Sequence, residues 1–451
     1  MPRPNTDTAN SNGLRDPFFF SVDKTAGIRL YIRMLELKFL RENPDVVRKA
    51  IQDKAERVDF DRFLELDAAR RAVIQRMEEK KHRRNELSKK IGMRRSEKDV
   101  SGLMEETRLL AKEVKDLQRE LKVLEEKVHE TVVAIPNIPH SSVPVGEDAN
   151  VIVREAGEIP QFDFTPLPHW QLGTALDILD FPAAARVCGS NFPSYKGLGA
   201  RLERALINFM VDFSLEKGYT EIFPPFLVNR DSMFATGQLP KLEKDMYLIE
   251  QDDLFLNPTA EVPVTNIHRE EVLTLDMLPI KYVAYSACFR REAGSYGADT
   301  KGLLRVHQFN KVELVKFTTP ETSYDELESM LEDVCELMDL LTIPYRIALL
   351  CARELSFAAA KTYDVEAWAS ATGKWLEVSS ISNFEDFQAR RAEIRLRRTP
   401  GQKAEFVHTL NGSGLATPRT FAAIIENCQR SDGSIQVPEV LTPYMKTERI
   451  A

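Results

Sequence analysis

The segment that decides the fold is "YVAYSACFRREAGSYGADTKGLLRVHQFNKVELVKF", residues 282–317. Two largely apolar runs flank a loop rich in glycine and charge, which predicts a strand, a long loop and a returning strand. Side chains alternate between the two faces of a strand. Alternation therefore predicts that Arg290 and Glu292 share one face, while Arg291 points to the other.

The returning strand places His307, Phe309, Lys311 and Glu313 on one face by the same alternation. The hairpin then offers an aromatic plane and two carboxylates along a line, with Arg290 between them. An arginine clamps phosphate oxygens and a carboxylate suits an amino group. The pattern favours a ligand with a base, a phosphate and an amine in sequence, such as an aminoacyl-adenylate. Taken singly, these residues have structural explanations. The charges could do no more than keep a turn soluble, and Phe309 could be a core residue.

Composition places the chain among globular proteins of two or three domains. It has 451 residues, 43% of them hydrophobic, and a net charge of -8. No apolar run approaches the roughly 18 residues of a membrane span. The five cysteines form no C-x-x-C pair, so we expect reduced thiols and a cytoplasmic protein.

A helical hairpin is predicted over about residues 64–128. Its second helix repeats a seam at alternating steps of four and three: Leu103, Thr107, Leu110, Val114, Leu117, Leu121, Leu124 and Val128. The first helix keeps the same step less regularly: Val73, Met77, Lys80, Arg84, Leu87 and Ile91. The linker "GMRRSEKDVSG", residues 92–102, is short enough only to reverse the chain. The pattern is typical of an antiparallel coiled-coil arm.

The first helix of this arm is strongly basic near its tip. The stretch "KKHRRNELSKKIGMRR", residues 80–95, holds a single acid, Glu86. Its basic residues are Lys80, Lys81, Arg83, Arg84, Lys89, Lys90, Arg94 and Arg95. Such a run is either a solvated helical face or a surface for a nucleic-acid backbone. The charge is concentrated on one helix of a projecting arm, which keeps the second interpretation open.

The stretch "AIPNIPHSSVPVGEDAN", residues 134–150, ends the coil and marks a domain boundary. The rest of the chain predicts strands close together in sequence with occasional helices. The predicted fold class is therefore α+β, with an antiparallel sheet flanked by helices. Neither G-x-x-x-x-G-K-[ST] nor G-x-G-x-x-G after a strand occurs, so a nucleotide would be bound by neither common loop.

Three longer motifs carry a family resemblance from Met34 onward. "EKGYTEIFPPFLV", "FRREAGSYGADTKGLLRVHQF" and "NGSGLATPRTFAAIIEN" resemble motifs 1, 2 and 3 of class II aminoacyl-tRNA synthetases. "NPTAEVPVTN", "LEVSSISNFEDFQARR" and "HTLNGSGLA" resemble signatures of the bacterial-type seryl enzymes. The resemblance implies activation of L-serine by ATP to seryl-adenylate and its transfer to tRNA(Ser), and to tRNA(Sec) where that tRNA exists.

The resemblance also implies roles for individual residues. Catalytic roles fall to Arg290, Glu377 and Arg419. ATP would be bound by Arg290, Arg291, Glu292, Val306, Phe309, Glu377, Val378, Ser379, Ser380 and Arg419. Serine would be bound by Thr259, Ala260, Glu261, Arg290, Glu313, Asn411 and Ser413. Mg²⁺ would be held by Glu377 and Ser380, and motif 1 would place Pro224 and Pro225 at a homodimer interface. The basic arm would grip the long variable arm of the tRNA.

The implied domains are an extension over 1–33, a tRNA-binding domain over 34–140 and a catalytic domain over 141–451. Because "MLELKFLRENPDVV" resembles the start of the family, the extension is either disordered or a misassigned start. "ARELSFAAAKTYD", residues 352–364, departs from the family in having Ala-Arg-Glu where Thr-Gly-Asp is common. That departure puts the shape of one loop in question.

Two rival functions are weighed against this one. A ligase that loads a small amino acid onto a carrier protein would lack the long basic arm, which this chain has. A non-catalytic paralogue serving as an RNA-binding module would have lost Arg290, Glu313, Glu377 or Arg419, and all four are present.

Overall fold

A computed structural model of the chain describes residues 35–93, 100–292 and 301–451. Several sequence-based predictions lie outside these ranges: the extension over 1–33, Arg94 and Arg95 at the predicted arm tip, and residues 293–300 of the loop between the two strands of the hairpin.

The N-terminal part is helical. Two short helices, α1 (Leu37–Glu42) and α2 (Pro44–Asp53), precede the long helices α3 (Phe60–Met93) and α4 (Ser101–Val132). Arg76, Lys80 and Arg83 of α3 pair with Glu120, Glu113 and Glu106 of α4 respectively. The residue numbers of the partners fall along α4 as those on α3 rise, so the two helices are antiparallel. At 1.5 Å per residue the arm is about 50 Å long.

The heptad seam is the contact surface of the arm. Val73 and Met77 of α3 pack with Val114 and Leu117 of α4, and all four are buried. Leu87 is also buried, whereas Lys80 and Arg84 remain partly exposed at seam positions. Long basic side chains lay their methylene stems along an apolar seam and keep the charge in water. This explains why the first helix follows the heptad less regularly.

The base of the arm is continuous with the remainder of the molecule. Phe60 and Phe63 of α3 and Val128 of α4 share an apolar cluster with Phe384 and Phe387 from the C-terminal part. The base of the arm is therefore packed into an apolar core that it shares with the C-terminal part.

The C-terminal part is built on an eight-stranded sheet with the order β1-β9-β10-β11-β14-β8-β7-β2. Its strands are β1 (Val151–Ala156), β2 (Thr220–Ile222), β7 (Ile280–Phe289), β8 (Gln308–Thr318), β9 (Tyr345–Leu349), β10 (Lys361–Ala369), β11 (Lys374–Asn383) and β14 (His408–Ala416). Every neighbouring pair is antiparallel except β2 and β7. The predicted α+β class is confirmed.

Smaller strands complete the domain: β3 (Leu227–Asn229), β4 (Leu248–Ile249), β5 (Leu254–Leu256), β6 (Val272–Thr274), β12 (Arg395–Arg397), β13 (Glu405–Phe406), β15 (Ile435–Gln436) and β16 (Arg449–Ile450). The helices are α5 (His169–Ala175), α6 (Phe181–Cys188), α7 (Leu198–Glu216), α8 (Arg230–Ala235), α9 (Glu261–Thr265), α10 (Ser323–Leu340), α11 (Phe387–Ala392), α12 (Thr417–Asn427) and α13 (Thr442–Met445). The last two helices of the described chain are thus α12 and the short α13.

The two faces of β8 pack against different parts of the domain. Val312 and Leu314 point into the main core, which they share with α7, α10 and α12. Val315 and Phe317 point to the opposite face and a separate cluster. Phe309, Lys311 and Glu313 share the parity of this second face, so all three side chains lie away from the main core. Across the described ranges, no helix has the length and apolar character needed to span a membrane.

Candidate active site

The predicted hairpin is formed by β7 and β8, with Cys288 opposite Phe309 and Ala284 opposite Glu313. Strand β7 ends at Phe289, so Arg290 is the first residue beyond it. The Arg290 guanidinium lies over the Phe309 ring, 5.2 Å from its centroid, and its Nε donates to the Pro258 carbonyl at 3.3 Å. The predicted alignment of an arginine with an aromatic plane is therefore present.

Arg291 and Glu292 lie beyond the strand, where alternation no longer applies. Glu292 has a left-handed backbone with φ of 51°, and it lines the same cavity as Arg290. Arg291 instead places its guanidinium 5.3 Å from the Tyr247 ring centroid, and its N–H donates to the Asp245 carbonyl. The opposite directions predicted for Arg290 and Arg291 agree with the structure, although Arg291 is not brought to the cavity.

A cavity of about 760 Å³ opens on the polar face of the hairpin. It collects most of the residues implied by the resemblance: Thr259, Glu261, Arg290, Glu292, Val306, Phe309, Glu377, Val378, Ser380, Asn411, Ser413 and Arg419. Of the other predicted residues in the described part of the chain, Ala260, Ser379 and Glu313 are buried behind its lining. Residues far apart in sequence thus converge on one site.

Glu313 lies just behind the lining at one end of the cavity. Its carboxylate is fully buried and accepts hydrogen bonds from Thr259 Oγ1 at 2.8 Å and Asn411 Nδ2 at 2.9 Å. Lys311 pairs with the same carboxylate and donates to Thr259 Oγ1 at 2.7 Å. Sequence reasoning placed Lys311 on this face without giving it a role. The structure shows that it supplies the positive charge facing Glu313.

Glu261 lies close to this group and has unusual acidity. Burial, followed by the charge of Glu313, raises the pKa of the Glu261 carboxyl to about 7. Its Oε1 accepts a hydrogen bond from Gln388 Nε2 at 2.6 Å, and Gln388 Oε1 accepts one from Thr409 Oγ1 at 2.8 Å. This end of the cavity therefore offers two buried carboxyl groups, one of them with a raised pKa, which suits a small polar ligand.

The opposite end is built around Arg419, in the first turn of α12. Its Nη1 donates to the Glu377 carbonyl at 2.9 Å and lies 3.4 Å from the Glu377 carboxylate. Its Nε donates to the Leu304 carbonyl at 3.2 Å, next to the stretch 304–306 that lines the cavity beside Phe309. An aromatic ring, main-chain groups and an arginine are the components that hold a base and its phosphates.

His169 supports this end and was not predicted. Its Nε2 accepts a hydrogen bond from the Leu303 N–H at 3.1 Å, and its Nδ1 lies 2.7 Å from Glu426 Oε1. Both side chains are fully buried, and Glu426 Oε2 accepts from the N–H groups of Ala371 and Thr372. No local pattern identifies such a support, because its members come from separate parts of the chain.

Oxygen donors near Glu377 suit a hard cation. Ser380 lines the cavity, and Asp364 is its partner in the β10–β11 register. Burial and then the charge of Glu377 raise the pKa of Asp364, whose Oδ1 has no hydrogen-bond partner. Within the described ranges, no cluster of three or more His, Cys, Asp or Glu could hold a metal. Mg²⁺ commonly takes one or two protein oxygens and completes its shell with phosphates and water, so these residues fit it.

Two family models match the chain: the "Seryl-tRNA synthetase N-terminal domain" over residues 34–139 and the "tRNA synthetase class II core domain (G, H, P, S and T)" over residues 245–428. A serine–tRNA ligase of Carboxydothermus hydrogenoformans is 54% identical over 421 residues, covering 92% of this chain and 99% of the relative. The chain belongs to the seryl-tRNA synthetase family.

Solved structures of this family agree with the fold. Seryl-tRNA synthetase from Pyrococcus horikoshii, complexed with ATP, has a TM-score of 0.89 and 36% identity, covering 93% of this chain and 99% of its own. A cytoplasmic serine–tRNA ligase from Naegleria fowleri, in complex with AMP, has a TM-score of 0.83 and 30% identity, covering 92% and 98%. The chain is thus an ATP-using ligase that charges tRNA with serine.

Proposed function

We propose that the enzyme forms seryl-adenylate in the 760 Å³ cavity, with adenine over Phe309, the α-phosphate at Arg290 and the serine ammonium at Glu313. The observation that carries this proposal is the arrangement of groups on one face of the hairpin: Arg290 from the end of β7, with Phe309 and Glu313 of β8. The Arg290 guanidinium lies over Phe309, and Glu313 lies two positions beyond Lys311 on the same face.

The chemistry of activation requires positive charge. The serine carboxylate attacks the α-phosphorus, a carboxyl-oxygen-to-phosphorus bond forms, and the bond to pyrophosphate breaks without proton transfer. Two anions approach while charge grows on the phosphate oxygens. Arg290 and Arg419 both line the cavity and supply fixed positive charge there. Positioning and electrostatics account for this step without a covalent protein intermediate.

Mg²⁺ would be held by Glu377 and Ser380, close to the buried Asp364. When bound, it would offset the negative charge of the ATP phosphates. Glu377 also positions Arg419, through its carbonyl at 2.9 Å.

Serine recognition depends on buried polar groups. The hydroxyl would meet the small polar pocket of Thr259, Glu261, Asn411 and Ser413. An alanine substrate in the same place would leave these groups without a partner. Sites of this kind strongly reject an analogue that lacks the hydrogen-bonding group. We therefore expect pyrophosphate exchange into ATP to depend on serine and to be much slower with alanine or glycine. Equal exchange with alanine would contradict the assigned pocket.

The arm would bind the tRNA backbone through its unpaired basic residues. Lys80 and Arg83 pair with Glu113 and Glu106 of α4. Lys81, Arg84, Lys89 and Lys90 form no ion pair with another residue of the described part, and they supply the positive potential. Charging of tRNA(Sec), in a cell that has it, is part of the proposal and rests on the resemblance. Parallel charging of tRNA(Ser) and tRNA(Sec) transcripts would test it.

The remaining assignments concern assembly and location. We propose a division at about residue 140 between a tRNA-binding and a catalytic domain, and a homodimer joined through motif 1. Phe223, beside Pro224, is 73% exposed and is therefore available for a contact with a partner subunit. Light scattering should give the mass of a dimer, and the mass of a monomer would contradict the proposed homodimer. The cytoplasm is the proposed location, and all five cysteines are free thiols.

A further inference from the structure

Two segments complete the cavity wall beside the proposed serine pocket, and the resemblance gave neither of them a role. One consists of residues 236–238 after α8, and the other of residues 356–358 in the loop before β10. The second lies within the stretch that departs from the family pattern. The segments pack closely: a Cβ added at Gly237 would lie 3.0 Å from the Ala358 Cβ.

The second wall segment is held by a lysine from the N-terminal part of the chain. Lys54, directly after α2, is 5% exposed. Its Nζ donates to the carbonyls of Ser356 at 2.9 Å, Phe357 at 3.2 Å and Ala359 at 2.7 Å. An ammonium group has three donors. All of them are therefore used on a single turn of the cavity wall.

Two more side chains join the same junction. Asn137, just after the arm, donates through Nδ2 to the carbonyls of Ala358 and Phe384, both at 2.8 Å. Arg391, from α11, donates to the Val133 carbonyl at the end of the arm and to the Phe234 carbonyl before the first wall segment, both at 3.2 Å. Its guanidinium also lies 5.3 Å from the Phe357 ring centroid. Both wall segments are thus fixed to the base of the arm.

The electrostatic environment of Lys54 indicates that it positions the cavity wall more than it stabilises the fold. No carboxylate hydrogen-bonds to its ammonium within the described ranges, and burial lowers the pKa of Lys54 to about 7. Glu56 opposes this shift, and Lys241 adds to it. Burying a cation against neutral carbonyls is costly. An apolar side chain would fill the space at lower electrostatic cost, but it would leave three carbonyls of the wall without donors.

The wall reaches the serine end through one side chain. Gln388 Nε2 donates both to the Thr236 carbonyl at 3.3 Å and to Glu261 Oε1 at 2.6 Å. The adenine end is built from other groups, which are Phe309, Arg419 and the stretch 304–306. A shift of the wall therefore moves the contacts of Glu261 before those of the nucleotide.

We propose that Lys54 is a positioning residue for serine: from the N-terminal part of the chain it fixes the 356–359 turn, and thereby the serine end of the catalytic cavity. The inference rests on the proposed placement of serine in the pocket around Glu261 and Glu313. It predicts that a change outside the catalytic domain alters the binding of one substrate and not of the other.

The test uses the full-length enzyme and pyrophosphate exchange without tRNA. Lys54→Met keeps the side-chain length and removes the donors, so we expect the serine KM to rise about tenfold while the ATP KM stays within about twofold. Lys54→Arg restores charged donors and should recover most of the serine affinity. The matched control is Lys49→Met on α2, the helix that ends one residue before Lys54; its exposed ammonium pairs with Asp53, and the change should alter neither KM.

Each outcome decides the question. Equal rises in both KM values, or a lower kcat with unchanged KM values, would show a merely structural role and overturn the inference. If Lys54→Met does not fold, Asn137→Ala removes the donation to the Ala358 carbonyl and must give the same serine-selective rise. Absence of serine-dependent exchange in the unmodified enzyme would contradict the proposed function itself, which separates the two failures.

Discussion

The arm and the cavity use the same charged residue types in opposite surroundings. In the arm, Lys80 pairs with Glu113 at 2.6 Å, with side chains 34% and 51% exposed. In the cavity, Lys311 pairs with Glu313, with side chains 8% and 0% exposed. Exposed pairs contribute roughly 0.2–1 kcal/mol, whereas removing one partner of a buried pair costs about 3–5 kcal/mol. The arm therefore acts through summed charge, and the cavity through individual groups.

The largest effect is expected at Arg290. Its guanidinium lies over Phe309 at the centre of the cavity, where charge develops. Arg290→Ala should lower serine-dependent pyrophosphate exchange about 10²–10³-fold, as for the loss of one preorganised electrostatic donor. Steady-state exchange kinetics measure the loss.

Arg291→Ala is the natural comparison, because its guanidinium lies over Tyr247. We expect a loss of less than about fivefold, as for a residue that does not touch the reacting atoms. A loss as large as that of Arg290→Ala would show that Arg291 takes part in ATP binding, as the family resemblance implies.

An intermediate effect is expected from pH. The pKa of Glu261 is raised to about 7, so the folded protein holds this proton at pH values where the unfolded chain, with a pKa near 4.5, has lost it. The native state then binds more protons between these values, and the contribution of Glu261 to stability falls as pH rises from about 4.5 through 7. Urea unfolding at a series of pH values measures this slope.

Glu261→Gln should remove that part of the slope. Burial also raises the pKa of Glu203 to about 7, so the difference between the unmodified protein and the variant isolates Glu261. If the two unfolding free energies run parallel from pH 5 to pH 8, the carboxyl does not titrate in this range.

The smallest effect is expected in the arm. Glu113→Gln removes the exposed partner of Lys80 and should change the unfolding free energy by less than about 1 kcal/mol. A loss of several kcal/mol in urea unfolding would show that this ion pair behaves like a buried one, and the contrast between arm and cavity would fail.

The sequence predicts best what local patterns determine. The heptad from Leu103 to Val128 depends on neighbours a few positions apart, and it is confirmed. The alternation along β8 is also local, and the separate clusters that hold Leu314 and Val315 agree with it. Glu292 shows the limit of such reasoning. It reaches the cavity although the strand ends at Phe289 and its own backbone is left-handed.

The contacts that were not predicted join distant parts of the chain. Lys54 and its acceptors are separated by 302 to 305 positions, and His169 and Glu426 by 257. Nothing in the residues beside a buried lysine or histidine specifies which carbonyl it will meet. Such partners are set by tertiary packing, and the positioning of the cavity depends on them.

In the proposed division of roles, the cavity activates serine and the arm binds tRNA. The most direct measurement compares serine-dependent pyrophosphate exchange with tRNA charging in one variant, Lys81, Arg84, Lys89 and Lys90 all changed to alanine. Each lost phosphate contact weakens binding and lessens its salt dependence. We predict exchange within about twofold of the unmodified enzyme, since no substituted residue lines the cavity, and a tRNA KM raised at least about tenfold. Equal losses of exchange and charging, or unchanged charging, would contradict this division of roles.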